Sequence, residues 1–450
     1  MRRIPTDKEG TPISPPAVEP VLDSRVSGGR RIPLITQTRS YELITPLFGG
    51  GAKPGRADSD LVIRGSGIRG QLRFWWRACR GGKFGGDLRR MREAESRLWG
   101  AASTPSKPRV SQVELAVKVT RRGGPLTAFS LQSREGRAPV ARSVAAVAHP
   151  YVAFPLQPER EAIRRDGTET TIHSLMGNVR FDLILTFPES ERAEVEAALW
   201  AWETFGGVGG RTRRGFGALR LTSVDPKPSS ETDQVATPQD IRLLIEEGLH
   251  RHVSDGEWPD GIPRFAKDPR MAVTQVFDSA TQAWNHLAKR LCEFRQERYP
   301  RNPPLTPGRS KWPEPDEIRR LTGSSCYRHR DPISEVRKFP RAAFGLPIVF
   351  HFKDEAAGDP STTTLQGGAE GCERLASPLI LRPVACDGGG AVGLALVLEG
   401  TSVEQIPEGL VLKGDQREYS VQAMLTNQEA ATIQPLHGDP NVLQVFLNSL

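Results

Sequence analysis

Residues 179–224 read VRFDLILTFPESERAEVEAALWAWETFGGVGGRTRRGFGALRLTSV, and this stretch decides the fold. Apolar and polar residues alternate over residues 179–187, which is the period-two pattern of a strand with one buried face. Val195, Leu199 and Trp202 then recur at helical spacing, and the glycines at 206 and 207 suit the end of a helix. Residues 216–224 read as a further strand. The stretch therefore predicts strand, helix and strand in succession.

The same order is predicted upstream. A strand over 32–44, a helix starting near Ser66, a possible second helix over 87–99 and a strand over 113–119 precede it. Two successive β-α-β units give the split βαβ, or ferredoxin-like, pattern that also underlies the RRM class of RNA binders. We therefore predict an α+β protein with an N-terminal ferredoxin-like domain over 31–224. Residues 1–30 are expected to be a flexible lead-in, and about 121–177 an irregular insertion.

The length of 450 residues suits two domains rather than one core. Residues 225–237 are polar and rich in Pro and Ser, which predicts a linker. Beyond it, helices are predicted near 238–250 and 278–297, with strands at 345–352, 379–384 and 392–399. Residues 238–450 are therefore expected to form a second α+β, ferredoxin-like (RRM-like) domain with extra helices.

Positive charge is concentrated in one segment. The chain has 61 basic and 53 acidic residues, a net charge of +8, whereas residues 62–92 alone hold nine basic residues and one acid, Asp87. A local patch on a balanced protein points to a specific polyanion site. The nine are Arg64, Arg69, Arg73, Arg77, Arg80, Lys83, Arg89, Arg90 and Arg92.

Several classes of protein are disfavoured. No run approaches the roughly 18 apolar residues of a spanning helix, and the N-terminus lacks a secretory pattern, so we expect a cytoplasmic protein with no membrane partner. The five cysteines are scattered and include no C-x-x-C pair. This spacing predicts free thiols, without a disulfide framework, a structural zinc or another metal.

The first motif is the predicted helix over 63–80. Ile68, Leu72, Trp75 and Cys79 form one apolar stripe on it, and Arg69, Arg73, Arg77 and Arg80 form another. The arginine stripe could follow a phosphate backbone, with Arg64 at the bare, glycine-rich N-terminus and Trp76 placed to stack on a base. The alternative is a basic surface helix with a tryptophan-rich core face.

The second motif is the loop 205–217, in which six glycines are interleaved with arginines. Such a loop lets backbone approach a phosphate while guanidinium groups clamp it. It lacks G-K-[ST] and is not fed by a strand, so it is neither a Walker A loop nor a dinucleotide fingerprint. The predicted RNA-binding residues here are Gly209, Gly210, Arg211, Arg213 and Arg214.

A third, less specific motif lies in the second half. Lys311 and Trp312 stand side by side in a Pro-rich loop, 308–315. Trp312 could stack on a nucleotide base and Lys311 could pair with its phosphate. Equally, the loop could be pinned by burial of the aromatic ring.

Together these segments resemble the RAMP superfamily of CRISPR proteins and, within it, the first-numbered subunit type of the type III-B (Cmr) effector complexes. The resemblance covers roughly 32–383. It is carried by Thr45-Pro-Leu-Phe-Gly-Gly50, the helix Arg64-Gly-Ser-Gly-Ile-Arg-Gly-Gln-Leu-Arg-Phe-Trp-Trp-Arg77, the glycine-rich loop 206–217, Trp312-Pro-Glu314 and Ser377-Pro-Leu379.

The resemblance implies two ferredoxin-like domains and a non-catalytic, RNA-binding subunit of a ribonucleoprotein effector in antiviral defence. Such a subunit would contact crRNA near its 3′ end, support binding of target RNA and assemble with other RAMP subunits. Carried over residue by residue, Arg69, Arg73, Arg77, Gly209, Gly210, Arg211 and Arg213 would line the RNA cleft.

The main alternative is a RAMP endoribonuclease that processes crRNA with a histidine or tyrosine as general acid or base. None of the eight histidines lies within the two arginine motifs, although His149 and His173 flank the insertion. No paired-carboxylate cluster for metal-assisted phosphoryl transfer is evident. We therefore predict no catalysis and no cofactor. A remote third possibility is an unrelated nucleotide-binding enzyme, which specific binding of a free nucleotide would favour.

Overall fold

The computed structural model describes residues 24–27, 30–51, 57–58, 61–102, 110–134, 137–143, 150–157, 174–225, 238–266, 268–300, 308–414 and 417–450. Most of the predicted lead-in, nearly all of the predicted linker, His149 and His173 lie outside these ranges. Within them, no helix combines the length and apolar character needed to cross a bilayer.

The strands are β1 (Ser24–Ser27), β2 (Arg30–Leu43), β3 (Glu114–Arg121), β4 (Gly124–Thr127), β5 (Phe129–Arg134), β6 (Arg137–Ser143), β7 (Ser174–Gly177), β8 (Arg180–Pro188), β9 (Leu219–Asp225), β10 (Met271–Phe277), β11 (Ile348–Phe350), β12 (Thr363–Gly367), β13 (Leu379–Ala385), β14 (Ala391–Val397), β15 (Leu410–Gly414) and β16 (Arg417–Val421). The α-helices are α1 (Gly65–Arg80), α2 (Leu88–Trp99), α3 (Pro150–Ala153), α4 (Arg192–Phe205), α5 (Pro238–His252), α6 (Ala280–Arg295), α7 (Glu314–Thr322), α8 (Asn427–Thr432) and α9 (Val442–Asn448).

The first half is built on a five-stranded antiparallel sheet in which β2 lies between β8 and β9, and β3 pairs with the other edge of β8. Its strands and helices match the predicted ones to within a few residues. The alternating residues of β8 are buried, with Phe181, Leu183 and Leu185 fully covered. Helices α1 and α4 supply the layer over that face through Leu72, Trp75 and Trp202, as the apolar spacing requires.

The prediction of an irregular insertion over 121–177 is partly wrong. Strand β5 pairs with β6, and β4 pairs with β7, which lies about fifty residues further along the chain. The short β4 includes Pro125, and its partner is distant in sequence, so neither periodicity nor a turn signal marks it.

The second half has two antiparallel sheets. Strands β10, β14 and β13 form one, packed against α6 and α9, and strands β11, β12, β15 and β16 form the other. The α+β class is therefore confirmed, and helices α5, α7 and α8 are additional as expected. Of the four-stranded sheet only β11 was predicted, within the strand expected at 345–352; the other three strands have five residues each and are bounded by loops.

The two halves share a core. One hydrophobic cluster includes Trp75 and Phe205 from the first half with Ile380, Leu394 and Leu396 from the second. The sheet β10-β14-β13 therefore covers apolar surface that the first half alone would leave exposed to water.

A buried arginine joins the halves at the end of α4. Arg382, in β13, is 1% exposed. Its guanidinium donates to the carbonyl oxygens of Glu203 at 2.6 Å, Gly206 at 3.0 Å and Leu219 at 2.6 Å. The carbonyls at the C-terminus of a helix have no partner within the helix, so Arg382 satisfies groups that would otherwise be buried without one.

The arginines of α1 are held by acids from neighbouring helices. Glu95 of α2 accepts from Arg73 at 2.6 Å and Arg77 at 2.5 Å. Glu194 of α4 accepts from Arg80 at 2.9 Å, and also from Lys83 and from the Trp76 indole. These two carboxylates hold α1 against α2 and α4 and offset most of the repulsion along its arginine stripe.

Replacement of Arg73 by glutamate should destabilise the fold. The Glu95 side chain is 5% exposed, so Arg73→Glu would place a second carboxylate beside a desolvated one. We expect a loss of about 1–3 kcal/mol in the free energy of unfolding, measured by urea denaturation. Arg92→Glu, on an exposed position of α2, is the matched control and should change stability by less than about 0.5 kcal/mol. Equal midpoints for the two variants would show that the Glu95 pairs do not support the fold.

Arg382→Met should lower the free energy of unfolding more than Arg73→Glu does. It removes the donor to three carbonyl oxygens while leaving them buried, and we expect a loss of about 3–5 kcal/mol on the same assay. Arg374→Met, an exposed arginine shortly before β13, provides the control for loss of charge and side-chain type. A stability close to that of the unmodified chain would mean that Arg382 does not join the halves.

Candidate nucleic-acid interface

The segment that follows β2 and the glycine-rich loop that follows α4 are bonded together. The hydroxyl of Thr45 donates to the carbonyl of Gly215 at 2.7 Å and accepts from the amide of Ala218 at 2.9 Å. The amide of Gly210 donates to the carbonyl of Phe48 at 2.7 Å, and that of Gly217 to Pro46 at 2.9 Å. The two quoted motifs, 45–50 and 206–217, are therefore one structural unit.

Glycine is required at two positions in this unit. Gly209 has a φ of +84°, and a Cβ there would lie 2.5 Å from the carbonyl oxygen of Phe48. Gly217 has a φ of +60°, and a Cβ there would lie 2.0 Å from the carbonyl oxygen of Val208. A side chain at Gly209 would push the loop away from the segment after β2, and one at Gly217 would clash within the loop itself, so both positions require glycine.

The second half holds the loop from the other side. The indole of Trp284, in α6, donates to the carbonyl of Arg214 at 2.7 Å. The Arg214 guanidinium donates to the carbonyl of Leu379 at 2.9 Å, and that of Arg213 donates to the carbonyl of Ser377. The loop is therefore fixed in the joint between the halves, and Arg213 also lies over the ring of Phe74 in α1, 5.2 Å from its centroid.

The arginines of the loop have no acidic partner in the part of the chain that the structure describes. Within the described residues, no carboxylate forms an ion pair with Arg211, Arg213, Arg214 or the nearby Arg295, whose guanidinium donates to the Tyr151 hydroxyl at 2.5 Å. This distinguishes them from the α1 arginines. The loop and the end of α6 therefore carry uncompensated positive charge.

Burial of this charge is reflected in its ionisation. Burial lowers the pKa of Arg214 to about 9, and the neighbouring charge of Arg295 acts in the same direction. Burial also lowers the pKa of Arg211 and of Arg213. In addition, the Nε atom of Arg211 is buried without a hydrogen-bond partner. An anion at this cluster would supply both the missing acceptor and the missing negative charge.

The predicted residues of α1 have partners within the protein. Arg64 pairs with Asp58 at 2.7 Å, and Arg69 donates to the Ser111 hydroxyl at 2.7 Å and to the Val113 carbonyl at 3.0 Å. Arg73, Arg77 and Arg80 make the ion pairs with Glu95 and Glu194 described above. A role for any of them in binding RNA stays a prediction.

The stacking role predicted for Trp76 does not fit its position. Its side chain is 2% exposed and its indole donates to Glu194 at 2.8 Å, so neither ring face is open to a base. The alternative of a helix with a tryptophan-rich core face describes both Trp75 and Trp76. The adjacent basic residues obscured this, because Trp76 lies between the two stripes on the helical projection.

The third motif is likewise internal. Trp312 is 1% exposed and donates from its indole to the carbonyl of Phe294 at 2.8 Å. Lys311 pairs with Glu297 at 2.6 Å. The open alternative, a loop pinned by burial of its aromatic ring, therefore describes the structure, and stacking on a nucleotide does not.

Two groups of the cluster were not predicted from the sequence, namely Arg295 and Tyr151. Tyr151 lies in α3, within the stretch expected to be irregular. Arg295 follows the apolar positions Trp284, Leu287 and Leu291 of α6 and belongs to its last turn, where a basic residue is commonly explained by the helix dipole. No motif links either residue to the loop, since the contact is made only in three dimensions.

Comparison with known proteins points to one family. Residues 40–220 match the family model described as the RAMP superfamily. The CRISPR system Cmr subunit Cmr1-1 of Pyrococcus furiosus is 23% identical over 236 residues, which cover 50% of this chain and 62% of the relative. Cmr1-2 of the same organism is 27% identical over 183 residues, 40% of this chain and 91% of the relative. The chain thus spans about three-fifths of the length of Cmr1-1.

Two solved structures also match this chain, both at low sequence identity. The apo crystal structure of Cmr1 from Pyrococcus furiosus covers 81% of this chain and 88% of that chain, with 16% identity and a TM-score of 0.42. A chain of the type III-B Cmr-beta complex bound to cognate target RNA covers 92% of this chain and 99% of that chain, with 12% identity and a TM-score of 0.49. Residues 40–220 of this chain thus match the RAMP superfamily, and the chain resembles the Cmr1 subunits of the CRISPR Cmr system.

Proposed function

We propose that the chain is a non-catalytic, RNA-binding subunit of a type III-B CRISPR effector complex. In this role it contacts crRNA near the 3′ end, supports binding of target RNA and assembles with other RAMP subunits. The observation that carries the proposal is the cluster of Arg211, Arg213, Arg214 and Arg295, which has no carboxylate partner among the described residues. The Cmr names of its relatives support the same role.

The chemistry of the cluster favours phosphate. Guanidinium groups bind phosphate oxygens in a bidentate manner, and several groups on one loop can hold successive phosphates of a strand. The glycines around Gly209 let backbone approach the strand closely, as in other anion-binding loops. The fixed position of the loop in the joint between the halves reduces the conformational entropy lost on binding.

We also infer a ferredoxin-like topology for the first half. The strand order β9-β2-β8-β3, with α1 between β2 and β3 and α4 between β8 and β9, supports it. In the second half, β10, β13 and β14 with α6 and α9 follow the same pattern without a fourth strand. A pair of such domains is the arrangement that the resemblance implies.

Among the described residues of the cluster, the alternative, an endoribonuclease that processes crRNA, has only the Tyr151 hydroxyl as a candidate general acid or base, because arginine stays protonated. His149 and His173, the two candidates from the sequence, lie outside the described residues. Incubation of the purified chain with a repeat-containing RNA in a chelator distinguishes the readings. Intact RNA supports the binding role, and discrete cleavage products would favour the nuclease.

Arg211→Gln should weaken RNA binding. Arg211 makes no hydrogen bond with its buried Nε, so its loss costs little in stability but removes a phosphate contact. We expect about a tenfold weaker Kd for single-stranded guide-like RNA and a log–log salt dependence flatter by about 0.7. Fluorescence anisotropy across a salt series measures both quantities.

Arg92→Gln is the matched control, since it removes the same charge from an exposed position outside the cluster. Arg92→Gln should leave the slope of log Kd against log salt concentration unchanged. If Arg211→Gln and Arg92→Gln behave alike, the loop cluster is not the RNA site, even if the chain binds RNA elsewhere.

A further inference from the structure

Four side chains of three metal-binding types meet in the second half, in the turns between α7 and β12. Cys326 and His329 flank a short 3-10 turn, and Asp354 and Asp359 flank another. One potential ligand atom from each lies within 4.8 Å of every other. None of these four residues belongs to the arginine cluster, so the group is unconnected with the proposed RNA site.

Backbone bonds fix the geometry of this group. The amide of His329 donates to the Cys326 carbonyl at 2.9 Å, and that of Asp359 to the Asp354 carbonyl at 3.1 Å. The amide of Cys326 donates to Oδ1 of Asp359 at 3.1 Å, which joins the two turns. Cys326 and Asp359 are buried. The ligand atoms of Cys326 and Asp359 are therefore preorganised, whereas the Asp354 carboxylate is not buried.

The contacts around one imidazole nitrogen exceed what one proton can satisfy. Nδ1 of His329 lies 2.7 Å from Oδ2 of Asp359 and 3.1 Å from Sγ of Cys326. It also lies 3.2 Å from a guanidinium nitrogen of Arg319, which only donates. If Nδ1 accepts from Arg319 it has no proton for Asp359, and two acceptors then face each other at 2.7 Å. A proton on Nδ1 gives Asp359 an ordinary hydrogen bond, and a cation in place of that proton would bind Nδ1, Oδ2 and Sγ together.

We propose that Cys326, His329, Asp354 and Asp359 bind a zinc ion. A thiolate, an imidazole and carboxylates are the ligands zinc accepts, with bonds of about 2.3 Å to sulfur and about 2.0–2.2 Å to nitrogen and oxygen. Ligand atoms within 4.8 Å of one another suit that coordination sphere. Four protein ligands give a closed, structural site, and binding releases the Cys326 thiol proton to solvent.

Arg319 acts on this site from outside. Its Nε donates to Oδ1 of Asp359 at 3.1 Å, and a second nitrogen lies 3.0 Å from Asp316. The third guanidinium nitrogen donates to Oδ2 of Asp359 at 3.1 Å, so Arg319 orients the whole carboxylate, whose Oδ2 also faces the histidine. Hydrogen bonds of this kind position metal ligands, and their removal typically weakens metal binding about 10- to 100-fold.

The test uses the full chain stripped of metal with a chelator and titrated with Co²⁺ alone, followed by displacement with Zn²⁺. We expect one equivalent to produce the sulfur-to-cobalt charge-transfer band and the intense visible bands of tetrahedral Co²⁺, both abolished by Zn²⁺. Cys326→Ser should lose the charge-transfer band, and Asp354→Asn should weaken binding at least tenfold. Arg319→Gln should keep the band and weaken binding about 10- to 100-fold.

Matched controls lie close by. Cys372→Ser and His351→Gln change the same residue types outside the cluster and should bind Co²⁺ as the unmodified chain does. Absence of the bands in the folded chain, or a band that survives Cys326→Ser and disappears in Cys372→Ser, would overturn the proposal. Because Asp354 makes no backbone contact through its side chain, Asp354→Asn tests the site even if Asp359→Asn fails to fold.

Discussion

The position of the glycine-rich loop depends on the buried guanidinium of Arg382. It comes from a strand of the second half and bonds carbonyl oxygens at the end of α4, at Gly206 and at the start of β9. These are the points where the loop leaves and re-enters regular structure. A helix end and a strand start in the first half are thus defined by a residue about 180 positions later in the chain, and the loop between them can hold a fixed shape despite its glycines.

Two groups of arginines in this protein have opposite surroundings. On α1, the positive charges meet Glu95 and Glu194, and they join three helices at positions that remain partly exposed. On the loop, the guanidinium groups meet carbonyl oxygens and one another, and burial lowers the pKa of each loop arginine. Carbonyl dipoles orient a guanidinium but do not neutralise it. The second arrangement is the one that an external anion can complete.

Much of the fold was predictable from the sequence, for a physical reason. The strands over 180–188 and 30–43 and the helices α1, α2, α4 and α6 have one buried face each, so their periodicity is long and regular. The strands of the four-stranded sheet and β4 are too short to show a period, and their partners are distant.

The glycine-rich loop was predicted as an interface from composition, whereas Arg295 and Tyr151 join it only through tertiary contact. The stacking role predicted for Trp76 and Trp312 was wrong, because a tryptophan beside a basic residue gives the same sequence pattern in a core as at a binding surface. The cysteines were tested only for C-x-x-C spacing. Cys326 and His329 lie some thirty residues from Asp354 and Asp359 in the sequence, and the four residues come together only when the two turns meet in the fold.

The location of the loop has a thermodynamic consequence. The arginines of the loop bond β13, and its backbone bonds α6 and the segment after β2. The same contacts therefore contribute both to the free energy of closing the two halves and to the free energy of binding an anion. Such linkage is reciprocal. An RNA strand bound at the loop would strengthen the joint, and any factor that loosens the joint would weaken the affinity of the loop for that strand by an equal factor. Binding of an anion at the loop would therefore depend on the relative orientation of the two halves.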